Sequence, residues 1–181
     1  MCAATLLCEG TKEEQEAIHK SVMKIAKKYN GLAGGSENGM KGYLLTYLIA
    51  YVRDFAADYF VVAESFETSC PWSNVSTLCK KVDARIREEA KRDNFTPDSI
   101  WTSFRVTQLY ETGAAVYVYL ALNYRGMSFT RDGVVEMYER IEDAARDEVM
   151  NCGGAISHHH GVGKIRKRFM DRTLPPVAIE W

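Results

Sequence analysis

The sequence predicts an α+β fold: a ferredoxin-like antiparallel sheet with helices on one face, incomplete at both ends. Three observations carry the prediction. Residues 100–110 and 114–124 alternate, are rich in β-branched and aromatic residues, and join around Glu111-Thr112-Gly113, a hairpin signal. Residues 72–92 set Val75, Leu78, Val82 and Ile86 at helical spacing. The central elements then follow the order β-α-β-β-α-β, which is the split arrangement of that fold.

The elements can be justified in turn. Ala4 to Glu9 predicts a short strand. Thr11, with Glu14 three positions on as its reciprocal capping partner, starts a helix that runs to about Tyr29. Its apolar stripe is Ile18, Val22 and Ile25. Asn30 to Met40, with glycines at 31, 34, 35 and 39, predicts a loop. Gly42 to about Ala57 is apolar on most sides and long enough for a buried helix, with a strand as the alternative. Tyr59 to Glu67 predicts a strand and Trp72 to Arg92 a helix, before the hairpin. Asp132 caps a helix to about Asn151, and Gly153 ends it. Gly154 to Ser157 predicts a last short strand that delivers three histidines. No repeat or low-complexity segment interrupts the order.

Composition narrows the function. A chain of 181 residues suits one domain with a real core. Apolar residues make up 46%, charged residues 26%, and the formal net charge is -1, which argues against a nucleic-acid partner and against a disordered tail. The most apolar run, Tyr43 to Ala63, is interrupted by Arg53, Asp54 and Asp58 and does not span a bilayer. Met1 to Gly10 lacks the pattern of a signal peptide. Five irregularly spaced cysteines fit reduced thiols better than a disulfide framework. The last residues, Pro175 to Trp181, open a fresh apolar stretch, which predicts a fragment of a longer protein.

Chemistry concentrates at His158-His159-His160-Gly161-Val162-Gly163-Lys164. Imidazole changes charge nearest neutral pH, and the two glycines permit positive φ or a close ligand. On an extended strand His158 and His160 share a face and His159 does not. No Cys or His pair at ligand spacing accompanies the run, so a metal site is not expected. Arg53 is costly inside so apolar a stretch without an anion. It either pairs with Asp54, Asp58 or Glu64, or clamps a carboxylate or phosphate. Tyr117, Tyr119 and Tyr124 lie on one expected strand; each could be core, and a phenol near an imidazole could carry protons. Lys164 could reach back to an anion held by the Gly-x-Gly turn, while Lys164 to Arg168 otherwise opens an amphipathic helix. Cys70 and Cys79 are expected to be packing residues.

Several segments resemble one family. They are Gly42 to Tyr47, Ala50 to Asp54, Glu64-Ser65-Phe66-Glu67-Thr68-Ser69, Arg105 to Gln108, Asn123 to Gly126, and Ser157 to Lys164. Together they are similar to the alkyldihydroxyacetonephosphate synthases, within the wider superfamily of FAD-linked oxidases. The resemblance implies ether-lipid synthesis: a transferase that exchanges the acyl chain of acyl-dihydroxyacetonephosphate for a long-chain fatty alcohol. It implies FAD as cofactor without net redox change, with flavin N5 holding the substrate unit covalently. It implies a peroxisome or glycosome, and leaves room for a homodimer and for a membrane surface. By the same resemblance, residues 1–157 are part of a substrate-binding cap domain and 158–181 begin a C-terminal active-site segment. The FAD-binding domain is absent, so the chain alone is expected to be inactive. Tyr117, His158, His159 and His160 take the catalytic roles and Arg53 binds the substrate anion. Two other functions remain open at this stage: an FAD-linked 2-hydroxyacid dehydrogenase or oxidase, and a non-catalytic metal-binding module.

Overall fold

Alternation in three apolar segments builds the sheet. In a computed structural model, which describes residues 2–179 without the side chains of Leu45, Thr46 and Ile179, strands β1 (Val61–Pro71), β2 (Ile100–Leu109) and β3 (Gly113–Asn123) pair antiparallel. Their order is β1-β3-β2, with the most apolar strand at the centre. A bulge between Val106 and Gln108 shifts the β2 register. Gly113 lies so close to β1 that a Cβ there would meet the Cys70 carbonyl oxygen at 2.4 Å. Only glycine fits.

One face of the sheet is apolar and carries two helices, α3 (Trp72–Ala90) and α4 (Arg131–Asn151). Leu78, Val82 and Ile86 of α3 and Met137, Ile141 and Val149 of α4 pack with Phe66, Val118, Leu120 and Leu122 into one buried core. The α4 cap is Thr130, whose hydroxyl accepts from the Gly133 N–H at 3.1 Å. The expected cap, Asp132, instead sits in the first turn, where a carboxylate suits the helix dipole.

Helix α1 (Lys12–Lys28) has the full capping box of Thr11 and Glu14. Its stripe is not core, however: none of its residues is buried. Helix α2 (Ser36–Ala57) begins inside the expected loop and takes Gly39 and Gly42 into its turns. Neither Ala4–Glu9 nor Gly154–Ser157 forms a strand among the described residues. The second segment makes one backbone bond to β1, Ala155 N–H to the Ser69 carbonyl at 2.8 Å, and then crosses the strand edge instead of running along it. After it come the short helix α5 (Gly163–Arg166), a 3-10 turn (Lys167–Arg172) and α6 (Pro176–Ile179). Of the expected apolar ending, Glu180 and Trp181 lie outside the described residues.

The chain divides into two units, Met1–Val52 and Arg53–Trp181. The second holds the sheet, the core and the histidines, so the expected boundary at residues 157/158 falls inside it. All five cysteines are free thiols; burial pushes Cys70 upward and Cys79 to about 11, as befits packing residues. Among the described residues no helix is long and apolar enough to cross a membrane.

Candidate active site

Strand alternation separates the two faces of the sheet. Phe66, Val118 and Leu120 point to the helices. Glu67, Tyr117 and Arg105 lie abreast on the opposite, open face, since Glu67 and Arg105 are the register partners of Tyr117. The chain reaches that face through a tight passage at the end of α4. Gly153 takes φ +74°, and a Cβ on Gly154 would meet Val149 at 2.7 Å and Leu78 and Thr68 at 3.0 Å. The Thr68 hydroxyl donates to the Ala155 carbonyl at 2.6 Å, fixing the crossing point.

Glu67 then receives the crossing segment. Its Oε1 accepts from the Ser157 hydroxyl at 2.8 Å and from the backbone N–H of His159 and His160 at 3.2 and 2.9 Å. Its Oε2 accepts from the His158 N–H at 2.6 Å. The side chain is fully buried. Burial pushes the carboxyl pKa up, but the bonds from His160, Ser157, His158 and His159 outweigh it and hold it at about 2.

Three imidazoles fan out from this anchor. The Tyr117 hydroxyl meets His159 Nε2 at 2.7 Å and His160 Nε2 at 3.0 Å. His158 turns away and places Nε2 between the Tyr110 hydroxyl at 2.9 Å and Gln108 Oε1 at 2.8 Å. The expected sharing of a face by His158 and His160 is therefore corrected. The segment bends instead of extending, so His159 and His160 work together.

A phenol has one proton to give. The geometry suits one imidazole accepting it at a bare Nε2 while the other donates an Nε2–H to the phenol oxygen. Burial pushes the Tyr117 pKa up, helped by Glu67 and Tyr119 and opposed by Arg105. Burial pushes His160 down, opposed by Glu67 and helped by His159, Arg166 and Arg146. Near neutral pH the phenol thus keeps its proton beside a neutral imidazole, which is the resting state of a donor and acceptor pair. The side chains of His159 and His160 remain 41% and 35% exposed, within reach of a substrate.

Arg53 is not brought into this cluster. Its guanidinium holds Asp54 at 3.1 Å and Glu64 at 3.0 Å. Glu64 is three residues from Glu67 on β1 and points to the other face, as its register partner Leu120 does. Two of the three ion-pair partners weighed from the sequence are those it uses here. Lys164 is exposed at the start of α5, and the Gly161 carbonyl beside it is taken by Arg166. Gly161 and Gly163 do have positive φ, +79° and +55°. Among the described residues no group of three or more His, Cys, Asp or Glu is arranged to hold a metal.

Three residues of the site had no role assigned from the sequence: Glu67, Tyr110 and Gln108. Glu67 had a signal. It interrupts β1 between Phe66 and Thr68, on the face opposite the core, where a carboxylate needs donors. Gln108 had only its place in a family-like segment and Tyr110 had no signal, because the bulge that re-aims β2 is a property of pairing.

An α+β domain whose open sheet face gathers a phenol, imidazoles and a buried carboxylate is equipped to move protons. The chain belongs to the family of FAD linked oxidases, C-terminal domain, which it matches over residues 1–181; FAD is the cofactor that membership implies. It is 48% identical over 179 residues to an alkyldihydroxyacetonephosphate synthase of Caenorhabditis elegans, covering 99% of this chain and 29% of that protein. It is 26% identical to the synthase of Dictyostelium discoideum over 172 residues, 95% of this chain and 27% of that protein. A solved structure of an alkyldihydroxyacetonephosphate synthase superposes with a TM-score of 0.64 at 21% identity, over 92% of this chain and 28% of that one. That likeness shows the fold. The chain spans less than a third of the length of these relatives.

Proposed function

We propose that this chain forms the substrate-binding cap (residues 1–157) and the beginning of the active-site segment (158–181) of an FAD-linked alkyldihydroxyacetonephosphate synthase. It acts together with a flavin-binding domain in the synthesis of ether lipids, in a peroxisome or glycosome. The substrates are acyl-dihydroxyacetonephosphate and a long-chain fatty alcohol. The identity of 48% along nearly the whole chain supports this reading. The observation that carries it is the Tyr117 hydroxyl shared between His159 and His160.

The residues present fit a flavin on one side. Tyr117 and Tyr119 are stacked and half-buried on the open face, and Trp101, on the same face, is 59% exposed. These rings offer a wall for a flat ring system, with hydrogen-bonding groups beside it. When bound, FAD supplies the electron-poor ring on which the exchange takes place. The chain's own part is to move a proton. Expelling the acyl carboxylate and adding the alcohol breaks one C–O bond and forms another, with no net change in electrons. The proton on the carbon next to the ketone must leave and return. In this reading one imidazole takes the phenol proton as the Tyr117 oxygen takes that of the substrate. The Nε2–H of the other imidazole steadies the phenolate. Arg53, paired with Asp54 and Glu64, moves no proton in these steps; its expected role, holding the substrate anion, is a separate part of this reading.

The test is an exchange assay on the FAD-loaded protein with a labelled long-chain alcohol. Label should enter an ether product as fatty acid is released one for one. No incorporation, together with flavin bleaching by a 2-hydroxy acid, would instead make the protein a dehydrogenase.

A further inference from the structure

We propose that Glu67 is the positioning residue of the histidine trio. Its buried carboxylate grips the backbone of His158, His159 and His160 and sets a negative charge, with no Lys or Arg in direct contact, beneath the two imidazoles that meet Tyr117. For its catalytic consequence the inference rests on the proton-carrier reading of Tyr117; its geometry stands alone.

The sheet fixes the placement. Glu67 and Tyr117 are direct partners across β1 and β3, so a segment bound to Glu67 arrives over the phenol. The four donors fill about the four acceptor positions of a carboxylate, and all four are neutral: one hydroxyl and three amides. Among the described residues no Lys or Arg lies within ion-pair distance of Glu67; its only ionisable partners there are His159 Nδ1 at 4.0 Å and His160 Nδ1 at 3.7 Å. Those distances are too long for hydrogen bonds and short enough for a strong field in a buried site. The charge favours a proton on the Nδ1 of one of the two rings and leaves that ring's Nε2 free to accept from Tyr117. It also steadies the imidazolium that forms when the phenol proton crosses to Nε2, with no proton lost or gained by the pair.

Besides Glu67, the groups facing His160 are Tyr117 from β3, Arg146 from α4, and His159 and Arg166 of its own segment; Tyr119 and Arg105 in turn act on Tyr117, and Arg166 also acts on Glu67. All are retained in two variants of Glu67 followed by proton NMR titration of the intact protein. Glu67→Gln keeps the size and one accepting oxygen but removes the charge. It should move the His160 titration to lower pH by about one pH unit and lower that of Tyr117 as well. Glu67→Asp should return both toward the unaltered protein. An anchor without an electrostatic role gives the opposite result: in Glu67→Gln the freed ring rises toward its ordinary value of 6.5, and that outcome, or no change, overturns the proposal. Should Glu67→Gln fail to fold, imidazole nitrogen shifts of the unaltered protein decide. One of His159 and His160 should carry its proton on Nδ1; both carrying it on Nε2 would overturn the proposal. Neither readout uses turnover, so a failed exchange assay would leave this inference standing, and the reverse.

Discussion

Among the described residues two glutamates are almost completely buried, and they are buried differently. Glu89, at the end of α3 and 2% exposed, is met by Arg92 at 2.6 Å, Arg140 at 2.6 Å and Arg85 at 3.3 Å. Arg140 extends the network to Asp93. Glu67, on β1 and 0% exposed, is held by neutral donors alone. The first arrangement cancels a charge and ties α3 to α4. The second keeps a charge and aims it at titratable rings. A buried carboxylate with no cation in direct contact is expensive unless its donors are well placed, and Arg166 acts on Glu67 only from beyond ion-pair distance.

The contrast can be broken by removing each carboxylate. Glu67→Ala strips the acceptor from one hydroxyl and three amides, and should cost about 3 kcal/mol in urea denaturation, with fast amide exchange at residues 157–160. Glu89→Ala releases arginines that already reach water, so its cost should be about 1 kcal/mol. Equal losses would mean that the neutral cradle holds no more than an ordinary ion-pair network.

Acid sharpens the same comparison. The Glu67 carboxyl is held at about 2 in the folded protein, below its ordinary 4.5. A lowered pKa contributes stability that is complete above 4.5 and is lost as pH falls through about 2. Chemical denaturation between these values should therefore show stability falling with pH, and Glu67→Gln should flatten that part of the profile. A wild-type profile flat over the same window would show that the cradle does not favour the ionised form.

Smaller effects probe the approaches to the two regions. Gly154→Ala forces a Cβ against Val149, Leu78 and Thr68 and should cost about 2 kcal/mol, read as a lower urea midpoint with the slope unchanged. Arg53→Ala removes an exposed ion pair on the other face, with an expected cost below about 1 kcal/mol in stability. A large loss of activity in Arg53→Ala would mean that its guanidinium leaves Asp54 and Glu64 to reach the substrate.

Much of the fold was legible because its signals are local. The alternation of β2 and β3, the stripe of α3 and the capping box of Thr11 depend on neighbours a few residues apart, and each appears where expected. The two expected short strands failed for reasons outside their own sequence: Ala4–Glu9 joins no ladder among the described residues, and Gly154–Ser157 makes a single backbone bond to β1 before the chain turns toward Glu67. The histidines could be located from their composition and the glycines after them. Their facing could not, since it follows from a bend that Glu67 imposes from 91 to 93 positions away. Arg53 shows the limit from the other side: a costly charge in an apolar run is a sound warning, but an ion pair answers it as well as a ligand does.

The reading of the site turns on the phenol between two imidazoles. Tyr117→Phe keeps the ring and its stacking on Tyr119 and deletes only the hydroxyl that His159 and His160 share. In the FAD-loaded protein, turnover in the exchange assay should fall by about a hundredfold or more, with flavin content and denaturation midpoint unchanged. Near-normal turnover at unchanged flavin content would contradict the account, because the proton would then be carried elsewhere.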